Sequence, residues 1–408
     1  MEIGKLVSFT LVRRQADNRK LEVNMRILKM GQVGGGIGAF IGEIHRKAAR
    51  MDGTIEVVAG AFDIVPARSL EMGKILGLNP KRVYTTYEEM IKGELALPKD
   101  ERIDFVSVCT PNHTHYPIAK ACMEAGFHVM CEKPMTLTLE EAIDLQETVK
   151  RTKKVFGLMH GYTAFPMVKL ARDMVRQGDL GKIRKVVVQY PQGWLFEKTK
   201  RENMQASWRI DPKTSGIAGC MGDIGTHAAN IAEYVSGLKI TEVLADLTKF
   251  VPGRLLDDDG NVLLHFEKGA KGVLHASQIS PGEENNIAFW IYGEKRGLEW
   301  HEENPNYLHV YSQTAPEEVW KRGNPYVAAK SAAAGRATRT PGGHPEAFIE
   351  AFANNYMNFG DTIRAKMERR KPTELELDFP GIEAGVRGMK FIEAVVSSSA
   401  EGNVWKKI

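Results

Sequence analysis

The amino-acid sequence predicts an α/β protein of two domains, a doubly wound parallel sheet followed by a second α/β domain with a large, mainly antiparallel open sheet. Three observations carry this reading. At 408 residues the chain exceeds the size at which a single core stops growing. From Met25 to about residue 151, short apolar runs alternate with segments of helical periodicity, the pattern of βαβ units. Beyond about residue 155 apolar runs are joined by short turns, as in hairpins. The expected divisions are an amino-terminal extension at 1–24, a dinucleotide-fold-sized first domain at 25–155 and a second domain at 156–408, with a late helix free to pack back on the first.

Taken in order, RILKMGQV reads as a strand and GAFIGEIHRKAARM as a helix. TIEVVAGAFD is a strand, ARSLEMGKILG a helix, DFVSVCT a strand, HYPIAKACMEAG a helix, FHVMC a strand and TLEEAIDLQETVKR a helix. Four strands separated by helices imply a parallel sheet. The polar segment KGELALPKDER at 92–102 is expected to be a surface excursion. Downstream, RDMVRQG is helical, KIRKVVVQY a strand and GDIGTHAANIAEYVSG a helix. TEVLADLTKF is a strand, and NVLLHFEKGAKGVLHASQI and NIAFWIYGEKRGLEWHEE are hairpins. The Gly, Ala and Pro-rich stretch 322–344 is expected to be a long loop before the helix PEAFIEAFANNYMNFGDTIRA.

Composition excludes several classes. A net charge of +4 without a basic block or an aromatic-basic stripe gives no support to nucleic-acid binding. No run of about eighteen apolar residues exists for a membrane span. The four cysteines, Cys109, Cys122, Cys131 and Cys220, form no CxxC pair. They read as reduced thiols of a cytoplasmic protein with no metal site. Residues 1–24 carry a short apolar run followed by RRQADNRK, without a secretory cleavage pattern, and read as an extra arm, with Met25 an alternative start.

GQVGGGIGAFIG at 31–42 lies between the first strand and the first helix, where a dinucleotide-binding fingerprint belongs. Gly34 would make the tight turn, Gly36 would admit a pyrophosphate, Ile37 would follow it, and small Ala39 would let the helix pack closely. The helix amino terminus offers orphan N–H groups to phosphates. Asp63 ends the second strand, 27 residues past Gly36, where an acid can hold the adenosine ribose. That acid favours NAD over NADP, and nearby Arg68 leaves NADP open. The bland alternative is a glycine turn without ligand.

Chemical groups converge on the same sheet edge. Lys133 stands directly before Pro134 at the carboxyl end of the FHVMC strand, where open α/β sheets keep their ligands. TPNHTHY at 110–116 follows the third strand, with His113 read as a turn residue. Asp223 and His227 are four apart, hence on one helix face. An imidazole suits a base that takes a hydroxyl proton as hydride leaves the same carbon, and a lysine ammonium suits the developing alkoxide. Singly, Asp223 and His227 would be a helix cap and a structural histidine.

These segments resemble the glucose-fructose oxidoreductase, inositol dehydrogenase and MocA family of NAD(P)-dependent oxidoreductases. The likeness rests on the glycine loop, TPNHTHY, AGFHVMCEKP at 125–134, GDIGTH at 222–227 and SQISPGEENNIAFWIYGEKRGLEW at 277–300. It implies a Rossmann domain and a second domain whose open sheet makes contacts in homodimers or homotetramers. It also implies that Lys133 and His227 are catalytic and that Asp223 binds substrate. In the cofactor pocket it places Thr110, Pro111, Asn112, His115 and Glu132. This chain departs from the pattern in two places: Thr163 stands in HGYTAFP where many relatives carry an arginine, and the longer glycine loop puts Gly42 and His45 where the usual final glycine and following histidine fall. His344 in GGHPEAF is expected either in the substrate cleft or at a helix start.

The function expected is NAD-dependent oxidation of a secondary alcohol on a sugar or cyclitol, or its reverse. Trp194, Trp208 and Arg209 would supply a stacking face and a hydroxyl donor, the tryptophans otherwise packing in the core. Oxidation-assisted glycoside elimination with recycled NAD is a second reading, and a non-catalytic NAD-bound regulator a third.

Overall fold

The structure is a computed structural model that describes residues 25–198 and 203–408; the arm expected at 1–24 lies outside them. Its first part runs β1 (Leu28–Gly34), α1 (Phe40–Arg50), β2 (Ile55–Ala61), α2 (Pro66–Ile75), α3 (Tyr87–Ala96), β3 (Phe105–Cys109), α4 (His115–Glu124), β4 (His128–Cys131), α5 (Leu139–Thr152) and β5 (Phe156–Leu158). The strands form one sheet in the order β2-β1-β3-β4-β5, and every pairing is parallel. β3 and β4 are buried at each position, as continuous apolar runs in a covered parallel sheet should be.

Local chemistry explains the element ends. Thr138 and Glu141 close a capping box at the start of α5, and the Thr86 hydroxyl accepts from the Glu89 amide at the start of α3. Two expectations need correction here. There are five strands, because the three-residue β5 is too short to show a period. The segment 92–102 is not all surface, since α3 runs to Ala96 and buries Met90 and Glu94. Glu94 is polar yet turned inward, where it binds the Arg82 guanidinium at 2.5 Å and accepts from the Ile103 amide.

The second part runs α6 (Pro166–Arg176), β6 (Ile183–Pro191), α7 (Met204–Ser207), α8 (Pro212–Ser215), α9 (Thr226–Ser236), β7 (Ile240–Thr248), β8 (Asp259–Phe266) and β9 (Lys271–Ser277). It continues with β10 (Ala288–Gly293), β11 (Arg296–His301), β12 (Tyr307–Ser312), β13 (Glu318–Lys321), α10 (Pro325–Lys330), α11 (Ala332–Arg336), α12 (Phe348–Met367), α13 (Ile382–Ala400) and β14 (Lys406–Lys407). Nine strands order as β13-β12-β11-β10-β6-β9-β8-β7-β14, antiparallel except where β6 meets β9. The β8–β9 turn uses Lys268 (φ 59°) and Gly269 (φ 82°). One face of this sheet packs on helices through residues such as Phe289, Ile291 and Val310. The alternate positions Leu263, Tyr292, Tyr307 and Val319 stay exposed on the other face.

The stretch 322–344 is not one loop: its alanines build α10 and α11, with Ser331 capping the latter. α12 lies against the first sheet. Phe359 meets Phe105 of β3 edge to face at 5.2 Å, and Tyr356 reaches His45 of α1. Among the described residues, no helix is long and apolar enough to cross a membrane.

Candidate active site

The glycine loop leaves β1 through left-handed turns at Gly34 (φ 80°) and Gly35 (φ 71°), positions where a side chain would strain the backbone. A Cβ on Gly36 would stand 2.8 Å from the Phe62 carbonyl oxygen, and one on Gly42 only 2.2 Å from the Gly35 Cα. The residue that lets α1 approach the loop is therefore Gly42. Ala39, expected in that role, sits at the N-cap without a side-chain cap bond, so the first-turn amides of α1 have no side-chain competitor. Asp63 pairs with Arg68 at 3.0 Å, and Arg68 also donates to the Ile37 carbonyl. Asp63, Arg68 and the loop thus form one unit.

β3 and β4 deliver the next groups. The peptide bond before Pro134 is cis, and His115 bridges the two turns, with Nδ1 2.8 Å from the Pro134 carbonyl and Nε2 2.8 Å from the Thr110 carbonyl. Its ring is buried and consumed by these contacts, so His115 holds the turns together and does not form part of the cleft wall. Glu132 is buried with Oε1 2.7 Å from His45 Nε2, while His45 Nδ1 lies 2.6 Å from the Tyr356 hydroxyl. Burial opposes charge on both groups, yet the Glu132 carboxyl is held below its ordinary range, by His45 and then Lys133, and the His45 imidazole well above its own, by Cys109 and Tyr356 ahead of Glu132.

Lys133 extends across to the second domain. Its Nζ donates to Asp223 Oδ1 at 2.8 Å and to the Asp223 carbonyl at 2.7 Å. Asp223 sits in a π turn, Met221–Gly225, that runs straight into α9, a local distortion common at functional sites. The turn is anchored from below, where the buried Asp257 carboxylate accepts the Gly219 and Met221 amides at 2.7 Å each. Asp223 Oδ2 accepts from Gln278 at 2.9 Å and Arg209 at 3.2 Å. Burial by itself would raise the Asp223 pKa, but the Lys133 and Arg209 cations hold it well below the carboxylate range. His227 follows one turn later, and its Nδ1 lies 3.2 Å from His160 Nδ1. Burial first, then Lys133 and His160, push the His227 pKa well below its ordinary value, so the ring is neutral at pH 7.

One cleft of about 920 Å³ gathers these parts. Its wall includes Thr110, Asn112, Glu132, Lys133, Asp223, His227, Trp208 and Arg209, and it reaches α1 at Phe40 and Ile41. The Arg209 guanidinium stacks 4.3 Å from the Trp208 ring centre and 5.8 Å from that of Trp194. Trp194 is 42% exposed, so it is cleft surface and not core. Other predicted residues lie elsewhere. Gly34, Gly36, Ile37 and Asp63 make the loop unit, and Pro111 is half-buried outside the wall. His344 is exposed and joins neither the cleft nor a helix start, since α12 begins at Phe348; its backbone is engaged, the amide donating to the Pro341 carbonyl and the carbonyl accepting from Arg322 and Thr340. Thr163 turns its hydroxyl onto the His160 carbonyl.

The far wall was not foreseen. Tyr162 and Tyr190 join hydroxyl to hydroxyl, and Asn285 Oδ1 accepts from Tyr190 at 2.6 Å and from Gln192 at 3.0 Å. Glu302 stands beside them with its pKa pushed up to about 7, by burial first and then by Glu303. The alternation of β6 placed Tyr190 at an inward position; nothing local marks Asn285 or Glu302.

A dinucleotide fits what the structure presents. Thr110 Oγ1 and Asn112 Oδ1 are buried on the cleft wall without hydrogen-bond partners, which in native proteins calls for an explanation such as a ligand. The uncapped first turn of α1 and the Cβ-free approach at Gly36 would hold the dinucleotide's phosphates.

Comparison with known proteins agrees. Residues 29–160 match the model of the oxidoreductase family with NAD-binding Rossmann fold, and residues 168–299 that of the GFO/IDH/MocA C-terminal domain. An uncharacterised oxidoreductase of Bacillus subtilis is 35% identical over 382 residues, 93% of this chain and 96% of that protein. Levoglucosan dehydrogenase of Pseudarthrobacter phenanthrenivorans is 28% identical, over 70% of this chain and 76% of that one. The crystal structure of an inositol dehydrogenase homolog from Azotobacter vinelandii, complexed with NAD+, superposes with a TM-score of 0.88 at 35% identity, covering 94% of this chain and 98% of that one. The chain belongs to the glucose-fructose oxidoreductase, inositol dehydrogenase and MocA family of NAD-binding oxidoreductases.

Proposed function

We propose that the protein is an NAD-dependent dehydrogenase that interconverts a secondary alcohol and a ketone on a sugar or cyclitol. The observation that carries this reading is the meeting of Lys133, Asp223 and neutral His227 on one wall of a cleft whose adjoining wall holds the unpartnered Thr110 and Asn112 atoms. A bound nicotinamide supplies the hydride acceptor. His227, low in proton affinity, takes the hydroxyl proton, and the Lys133 ammonium, aimed by Asp223, stabilises negative charge on the substrate oxygen. Asp223 also accepts substrate hydroxyls as it now accepts Arg209 and Gln278. Thr110, Asn112 and Glu132 flank the nicotinamide side, and Asp63 with the Gly34–Ile37 loop serves the adenosine side.

The far wall supports a polyol. Tyr162, Tyr190, Gln192 and Asn285 offer clustered donors and acceptors, and Trp194 with Trp208 offers faces for a ring. Relatives include a levoglucosan dehydrogenase and an inositol dehydrogenase homolog seen with NADH and myo-inositol, which supports a ring polyol. The exposed apolar face of the nine-stranded sheet supports a homodimer or homotetramer.

Nicotinamide absorbance tests the reading, with NAD or NADP against myo-inositol, levoglucosan, glucose and alkyl glucosides. One ring polyol is expected to reduce NAD, and Lys133→Ala to lower kcat by at least about 100-fold. Undiminished turnover in that variant, or no reduction with any polyol, sinks it.

A further inference from the structure

Behind His227 lies a second cavity, and His160 stands between the two. His160 follows β5 and is 2% exposed. One side of its ring meets His227, Nδ1 to Nδ1 at 3.2 Å and edge to face at 5.0 Å between centres. His160 also lines a cavity of about 340 Å³. Asn230 and Glu233 of α9 and Arg387 and Gly388 of α13 line it, with Asp378 between the elements. Its outer rim carries the exposed residues Lys239 and Glu383. Two buried polar atoms there, Asn230 Oδ1 and Arg387 Nε, have no protein partner. Much of the remaining lining is apolar, including Ile240, Phe379 and Phe391, so at roughly 30 Å³ per water the space has room for several waters strung along the polar groups.

We infer that His160 is a positioning residue of a proton exit path that runs from His227 through His160 into this second cavity and out to solvent. The inference rests on the reading of His227 as the base. Alcohol oxidation releases a proton on the side of the cleft that substrate and nicotinamide fill. A proton left on His227 would face the Lys133 ammonium and a desolvated pocket, so it must move on. The step balances as a relay. The substrate O–H proton passes to His227 Nε2, the Nδ1 proton of His227 passes to His160 Nδ1, and the Nε2 proton of His160 passes to cavity water. Both rings end neutral in the opposite tautomer, and reduction runs the same path backward. Burial, with Lys133 adding to it, drives the His160 pKa down to about 3, so neither ring traps the proton.

The experiment uses the whole enzyme and whichever of myo-inositol, levoglucosan, glucose and alkyl glucosides is oxidised fastest, with myo-inositol tried first. His160→Asn keeps a hydrogen-bonding atom toward His227 but cannot relay. The expected result is a fall in kcat of at least about tenfold, with KM and NAD affinity unchanged and partial restoration by imidazole in the buffer. Gly388→Leu, at a position where an added Cβ meets nothing within 4 Å, fills the cavity far from the cleft and is expected to slow kcat without moving KM. Wild-type turnover in His160→Asn, or a loss that imidazole does not restore, overturns the relay. Full activity in His227→Ala overturns the base assignment itself, which separates the two failures.

Discussion

At the scale of single residues, the chemistry is set by which charges are paired and which groups are kept neutral. Lys133 and Asp223 satisfy each other across the domain junction at 2.8 Å, and Arg209 is engaged by the same carboxylate, so no unpaired cation stands among them to attract an anionic substrate group. Glu302 is the reverse case, a carboxyl raised from 4.5 to about 7 because burial disfavours its ionised form. The folded protein then binds more protons than the unfolded chain between those values, and stability falls as pH rises through that window. Glu302→Gln is expected to flatten the slope by on the order of 2 kcal/mol between pH 5 and 8, read from urea unfolding at each pH. Identical pH profiles of stability in the two proteins would show that Glu302 ionises normally.

At the scale of elements, α1 and its loop act as one object. The contact between Gly42 and Gly35 brings the helix against the turn, and His45 one turn later reaches Glu132 and Tyr356. Gly42→Ala forces this contact apart and is expected to cost about 1–3 kcal/mol of stability and to weaken NAD binding, measured by thermal melting and by fluorescence titration. Unchanged affinity would mean that the loop shape does not depend on the helix. The glycine fingerprint was legible because its chemistry is local, although Gly42, standing where the usual final glycine falls, and not Ala39 lets the helix approach the loop. The pairing of Asp223 with His227 on one cleft wall was legible for the same reason, since four-residue spacing survives even though Asp223 lies in a π turn.

At the scale of the whole molecule, α12 connects the late chain to the first sheet. Its Tyr356 and Phe359 pack on β3 and α1, and Asn354 donates to the Ala164 and Ala337 carbonyls. Phe359, fully buried against Phe105, is expected to cost about 3–5 kcal/mol on replacement by Ala. Because the helix backs the nucleotide-binding sheet, NAD affinity should fall with it. A melting curve that drops while NAD affinity holds would mean that α12 supports stability alone.

The sequence by itself determined the alternation of strands and helices, the glycine loop, and the Lys133 and Asp223–His227 placements. Each of these is written in neighbours a few residues apart, where periodicity, turn chemistry and helical spacing operate. Only the tertiary structure decided which distant side chains share the cleft with Lys133, Asp223 and His227. Tyr162, Tyr190, Asn285 and Glu302 meet because strands and loops far apart in the chain are brought together across one cleft, and no local pattern encodes that encounter. The same packing withdrew His115 into a clamp between two turns, left His344 at the surface, and set His160 between the cleft and a second cavity.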